Sequence, residues 1–373
     1  MGTDPAGGAG AGEACTSAAA LPATERGRQH LAAAQLLAQG RWHAAGRMLE
    51  DLSAQYPRDL LALQAGHQID FFVGDARMLR DRIARALPHW QRGMPGYHAL
   101  LGMHAFGLEE TGDYAQAERE GRLAVELAPR DGWAWHAVAH VHEMRNDPQA
   151  GVAWLGPNAA TWSEGSFFAV HIWWHLALYQ LELGREDEAL RLYDEAIGGP
   201  GSSVILDLVD ASAMLWRLHL RGLPLDSRWQ AVAQRWREAG VPGRYAFNDL
   251  HMMMAHVGTG DEAAQEAVLQ AQREALLGEG VHARFTREVG HPAALALQAF
   301  GRGEHASCVD LLRGIRSSAH RFGGSHAQRD LLDQTLIAAA GRSGQAALAH
   351  ALRQERDALR PRSAAAQRLP LAA

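Results

Sequence analysis

His98–Asp131 reads HALLGMHAFGLEETGDYAQAEREGRLAVELAPRD. An apolar helix ends at a glycine, Gly112, and a second helix follows with small residues, Ala117 and Ala124, on one face. Pro129 then closes the unit. A glycine at such a position supplies the left-handed residue that stops a helix. Small residues let the two helices approach closely. Val170–Ile197, VHIWWHLALYQLELGREDEALRLYDEAI, repeats the design with Gly184, Ala189 and Ala196 at matching offsets.

These offsets fit the roughly 34-residue tetratricopeptide period. The register extends in both directions. Gly40, Ala45 and Pro57 mark one further pair, and Gly74 the turn of another. Asn146-Asp147-Pro148, Gly222, Gly260, Gly303 and Gly344 mark later turns. No sustained alternation of apolar and polar residues competes with this period, so no strands are expected. The expected fold is all-α: a tetratricopeptide-like solenoid of about eight or nine helix pairs over residues 25–359. Residues 1–24 are Gly- and Ala-rich and read as a disordered tail, and residues 360–373 as a frayed one. Gly156–Ser166 and Gly198–Asp207 are longer than a plain repeat needs; insertions in repeat proteins gather on one face, often the binding face, and the competing reading is that both are irregular linkers.

Composition removes several function classes. The 36 basic residues are all arginine, so neither a Schiff-base lysine nor a P-loop lysine exists. A net charge of −6 gives no footprint for nucleic acid. No apolar run is long enough to span a membrane. The opening residues lack the basic start and apolar core of a secretory signal. Two cysteines, Cys15 and Cys308, build neither a disulfide framework nor a thiolate zinc site, and suit a reducing cytoplasm. No nucleophile-elbow pattern surrounds any serine.

Several collinear blocks go beyond the generic repeat. GMHAFGLEET (Gly102–Thr111), AHVHEM (Ala139–Met144), HIWWHLALYQLEL (His171–Leu183), DASAMLWRLHL (Asp210–Leu220), FNDLHMMMAHV (Phe247–Val257) and GGSHAQRD (Gly323–Asp330) are among them. Together they resemble the tetratricopeptide repeat protein 38 family over about residues 31–342. That resemblance implies a tightly curved or closed helical solenoid. It implies no reaction.

The 20 histidines matter through their arrangement. His136, His140 and Glu143 sit at i, i+4 and i+7 on one helix, hence on one face. His171 and His175 are again four apart on the next first helix. A histidine pair at i, i+4 is the spacing by which a helix chelates one metal. Four imidazoles and a carboxylate would suffice for zinc, iron or manganese. The competing readings are a ligand-contacting histidine cluster without metal, and a packed aromatic–imidazole layer with Trp133, Trp135, Trp173 and Trp174. His142 points to the opposite side of its helix. A second set lies further along: Asn248, Asp249 and His251 at a helix start, where Asn248 or Asp249 could cap, and Arg329 near the glycine-led start of another helix, where it could clamp an anion.

Two functions follow as expectations. One is a binding module whose concave groove holds a peptide segment or small ligand through His, Trp and Arg side chains. The other is an enzyme within a repeat fold, with the His/Glu cluster as metal site or acid–base groups. A wrapped solenoid would favour the second, an open superhelix the first.

Overall fold

A computed structural model describes residues 5–359 of the chain. The helix α1 (Pro5–Ala19) precedes nine helix pairs. The first four are α2 (Glu25–Ala38) with α3 (Trp42–Gln55), α4 (Leu60–Phe72) with α5 (Ala76–Ala86), α6 (Tyr97–Glu110) with α7 (Tyr114–Leu127), and α8 (Gly132–Met144) with α9 (Pro148–Leu155). After the short α10 (Ala159–Ser163) come α11 (Ala169–Glu182) with α12 (Glu186–Leu192), α13 (Ile205–Leu220) with α14 (Asp226–Ala239), and α15 (Ala246–Gly258) with α16 (Glu262–Ala275). A further short helix, α17 (Val281–Phe285), leads to α18 (His291–Gly301) with α19 (His305–Ile315), and α20 (His326–Arg342) pairs with α21 (Ala346–Leu359). No strand occurs among the described residues.

The turns are built alike. Gly112 and Gly184 have φ of 90° and 73°, the left-handed region a glycine enters without strain. An aspartate then caps the second helix: Asp75, Asp113, Asp147 and Asp261 each accept an N–H from three residues on. Small residues on α7 let α6 and α8 pack on it. A Cβ on Gly121 would stand 2.6 Å from Val138, so a larger residue there would push α8 away.

First and second helices differ in burial. Along α7 the buried residues are Ala117, Gly121 and Ala124, one narrow stripe. On α6 every residue from Leu100 to Glu110 is buried, and on α15 every residue from Ala246 to Val257. A helix buried all round needs neighbours on every side. The superhelix provides them by curling until its late pairs meet its early ones. Trp42 packs edge-on against His282, with ring centroids 4.5 Å apart. The Tyr245 hydroxyl donates to the Phe72 carbonyl at 3.0 Å. The His326 N–H donates to Glu110 at 3.0 Å. The Gly74 turn lies so close to the segment before α20 that a Cβ there would fall 1.9 Å from the His320 carbonyl oxygen. The solenoid is closed on itself, with α20 against both α8 and α13.

Two stretches differ from their sequence readings. Residues 1–24 were expected to be a disordered tail, yet Pro5–Ala19 is helical and Cys15 is buried. The segment is rich in alanine, the strongest helix former, and it packs on α2. The long connection at Gly156–Ser166 is not an irregular linker. It holds α10, whose Trp162 is fully buried and donates its Nε1–H to the Leu155 carbonyl at 3.0 Å. The frayed tail expected over 360–373 lies outside the described residues. Among the described residues no helix is long and apolar enough to cross a membrane.

Candidate functional site: a four-histidine cluster inside the ring

The helices α8 and α11 begin neighbouring repeats and pack side by side, tied where the Tyr179 hydroxyl donates to the Ala139 carbonyl at 2.6 Å. Their histidine-bearing faces meet. One ring nitrogen from each of His136, His140, His171 and His175 lies within 4.8 Å of the others. Ring centroids are 4.4 Å apart for His136 and His140, 4.5 Å for His140 and His175, and 4.8 Å for His136 and His171. Phe106 stacks on His136 and Trp174 on His171. His140 and His175 are fully buried, His136 almost so, and the His171 side chain keeps 16% exposure.

The rings differ in what holds them. His171 Nδ1 lies 2.8 Å from Asp210 Oδ2 on α13. A carboxylate accepts, so the Nδ1–H donates and Nε2 is left as the ring's second nitrogen. His140 Nδ1 lies 3.5 Å from Glu109 on α6. His136 and His175 have no protein hydrogen-bond partner at either ring nitrogen. Burial holds both well below the usual histidine pKa, and neighbouring imidazoles push the same way. Both rings are therefore neutral near pH 7, the form that carries a free lone pair.

Glu143 does not join them. It is buried on the same helix, but its carboxylate is not among the converging ligand atoms. One turn beyond His140, its charge instead acts at Tyr179, whose hydroxyl pKa is raised first by burial and then by Glu143 and Glu109. Glu109 of the preceding pair takes the place beside His140. Glu109, Glu110 and His140 also bring ligand atoms within 4.8 Å of one another. Glu110, however, is engaged in ring closure, through the His326 N–H and Arg329 at 3.6 Å. His142 stays apart and buried, and the carboxylates of Glu118 and Asp147 act on it electrostatically.

The second predicted set does not converge on this centre. Neither Asn248 nor Asp249 caps α15, whose N-cap is Tyr245 with no side-chain bond. Asp249 is fully buried within the first turn and accepts the Gly243 N–H at 3.0 Å and a Gln272 amide N–H at 3.3 Å. Burial pushes its pKa up to about 7. His251 Nδ1 donates to the Phe247 carbonyl at 2.7 Å, while its Nε2 has no protein partner. Arg329, expected to clamp an anion, is engaged within the protein. Its guanidinium donates to the Gly323 and Gly324 carbonyls and faces Glu110. Ser325 caps α20 in a capping box with Gln328.

Sequence reasoning missed Glu109, Asp210 and Arg217. Arg217 sits with its guanidinium 5.2 Å over the Trp174 ring and acts electrostatically on both His175 and His251. Asp210 and Arg217 lie within one run, DASAMLWRLHL, but no spacing rule joins them to histidines on α11.

Beside the cluster opens a groove of about 720 Å³. It does not reach the four histidines directly. Trp133 and Phe168, which line it, pack on His136 at 5.4 and 5.3 Å between ring centroids.

No family model matches the chain. Among solved structures it is similar to a chain in the crystal structure of the APC/C hetero-tetramer Cut9–Hcn1, with 12% identity and a TM-score of 0.41, over 87% of this chain and 58% of that one. It is also similar to the P58(IPK) TPR domain, with 11% identity and a TM-score of 0.27, over 87% of this chain and 99% of that one. The chain thus spans somewhat over half the length of the first of these.

Proposed function

We propose that the protein is a helical-repeat binding module that holds one divalent transition metal at His136, His140, His171 and His175, and takes a small ligand from the adjoining groove. One observation carries the reading: two buried imidazoles, His136 and His175, have no protein partner for either nitrogen. Leaving a buried polar group unsatisfied costs about 1–3 kcal/mol, so such a pair calls for something to bind. Imidazole donors suit zinc or iron better than manganese, which prefers oxygen. Asp210 and Glu109 occupy the outer positions from which carboxylates orient ligating histidines. Bound there, the metal would supply Lewis acidity.

Closure of the ring bears on the ligand. The inner helices are buried on all faces, which favours a small molecule over an extended peptide segment in the groove. The resemblance to the tetratricopeptide repeat protein 38 family belongs to this reading through the blocks that carry Glu109, His140, His171 and Asp210. So does a cytoplasmic location, supported by two free, buried cysteines.

Metal analysis of the purified protein, with zinc titration calorimetry on chelator-treated protein, tests the proposal. One equivalent is expected. Absence of metal as purified, together with no zinc binding on titration, would overturn it. Closure of the solenoid favours a catalytic reading of the same site, which rests on the 2.8 Å His171–Asp210 pair, the arrangement that orients a general base.

A further inference from the structure

Of the residues lining the groove, His67 and Trp133 form its distinctive corner. His67, on α4, is 1% exposed, and its ring meets Trp133 edge-on with centroids 5.6 Å apart. Its Nδ1 lies 3.2 Å from the Leu79 carbonyl oxygen. A carbonyl only accepts, so the proton sits on Nδ1 and Nε2 presents a lone pair. That Nε2 is buried and has no protein partner. Trp133 presents the opposite function: its indole Nε1–H is buried and has no protein acceptor. An acceptor and a donor are thus both unsatisfied on neighbouring rings of one groove. Burial and the nearby Arg82 pull the His67 pKa down to about 3, which keeps the ring neutral.

We infer that this groove is a recognition site for a small neutral phenol, whose hydroxyl donates to His67 Nε2 and accepts from Trp133 Nε1–H. A hydroxyl oxygen is the smallest group that both donates and accepts. A carboxylate would set its lone pairs against that of Nε2, so an acid is disfavoured. Phe167, Phe168, Met103 and Leu60 supply apolar and aromatic walls for the ring. Arg130 does not turn the groove into an anion site; its guanidinium donates to the Glu164 carbonyl at 2.7 Å and is mostly exposed. The inference deepens the proposed function by naming the ligand class, and rests on the groove being its entry, not on the metal.

Calorimetry on the whole chain with three probes tests it. 4-Propylphenol should bind, 4-propylanisole (which accepts but cannot donate) about tenfold more weakly, and 4-propylbenzoate not measurably. His67→Phe should bring phenol and ether within about twofold, and His67→Gln should restore part of the difference. Equal affinity of phenol and ether for the unaltered protein would overturn the inference, as would no binding of any probe. The variant His175→Phe, whose ring packs on His136, His140, His171 and Trp174 and on none of the groove's lining, separates the two readings. Phenol binding unchanged in it supports recognition in the groove, even if no metal is found. Phenol binding lost in it would mean that the hydroxyl is held at the histidine cluster, and the inference fails.

Discussion

The two constellations that stand out in the sequence, the histidines of α8 and α11 and the Asp249–His251–Arg329 set, meet different fates. Both are buried, and both lie on or beside first helices. Around Asp249 most of the hydrogen-bonding capacity is used internally: two N–H groups reach its carboxylate, and His251 Nδ1 bonds its own helix, which leaves only His251 Nε2 of that ring without a protein partner. Arg329 is engaged by backbone carbonyls and Glu110. Between α8 and α11, His136 and His175 have no such partners. Burial and residue type therefore do not separate a ligand site from a structural network. The separating quantity is how much hydrogen-bonding capacity the protein leaves unanswered: both ring nitrogens of His136 and of His175, against one of His251.

The largest effect expected from this contrast is on metal content. His136→Phe/His175→Phe should take bound metal from one equivalent to less than about a tenth, while Arg329→Met leaves it unchanged; equal loss in both would erase the distinction. Next comes Asp210→Asn. If Asp210 orients His171, zinc affinity should fall about 10–100-fold, read by competition with a chromophoric chelator, with the urea midpoint of the metal-free protein nearly unmoved. The third contrast concerns stability. Asp249→Ala strands the donors that reach it and should cost about 1–3 kcal/mol in urea unfolding. The metal-free His136→Phe/His175→Phe variant should be no less stable than its parent, since it removes unsatisfied groups. A loss as large as that of Asp249→Ala would show that the histidines are structural after all.

The smallest effect is the pH dependence of the metal-free protein. His67 and His251 have folded pKa values of about 3 and about 4, below the unfolded value of 6.5. The unfolded chain therefore binds more protons as pH falls below about 6.5, and stability is lost progressively down to the folded values. Asp249 works the other way. Its folded pKa of about 7 exceeds the unfolded 3.8, so it adds stability as pH falls through that interval. His256 and His282, each at about 4, side with the histidines, so net loss is expected. Between pH 6.5 and 5.5 His67→Phe should remove ~1 kcal/mol of that loss. A slope unchanged by the substitution would contradict the buried, neutral His67.

The architecture was legible because it is written locally. Gly112, Ala117 and Pro129 recur at a fixed period, and each position acts within its own unit or on the next. The meeting of His136 and His140 with His171 and His175 was legible for the same reason: equal offsets in adjacent repeats become neighbours in space. What escaped is what depends on depth or on distance along the chain. Glu143 shares a face with His140 on a helical wheel, yet one turn of rise takes it out of the cluster. Asp210 reaches His171 across a whole repeat. The helix at Pro5–Ala19 hid behind a composition that also suits disorder. Ring closure, through Glu110 with His326 and Phe72 with Tyr245, joins residues with no shared pattern.

That closure fixes a number. An open array can gain or lose a unit at modest cost, because each repeat answers only to its neighbours. Here the Gly74 turn must meet the His320 carbonyl, and Trp42 must meet His282. Inserting or deleting a single helix pair would carry those surfaces out of reach of each other. Length variation in such a chain is confined to its turns and ends, and the count of repeats behaves as a fixed circumference.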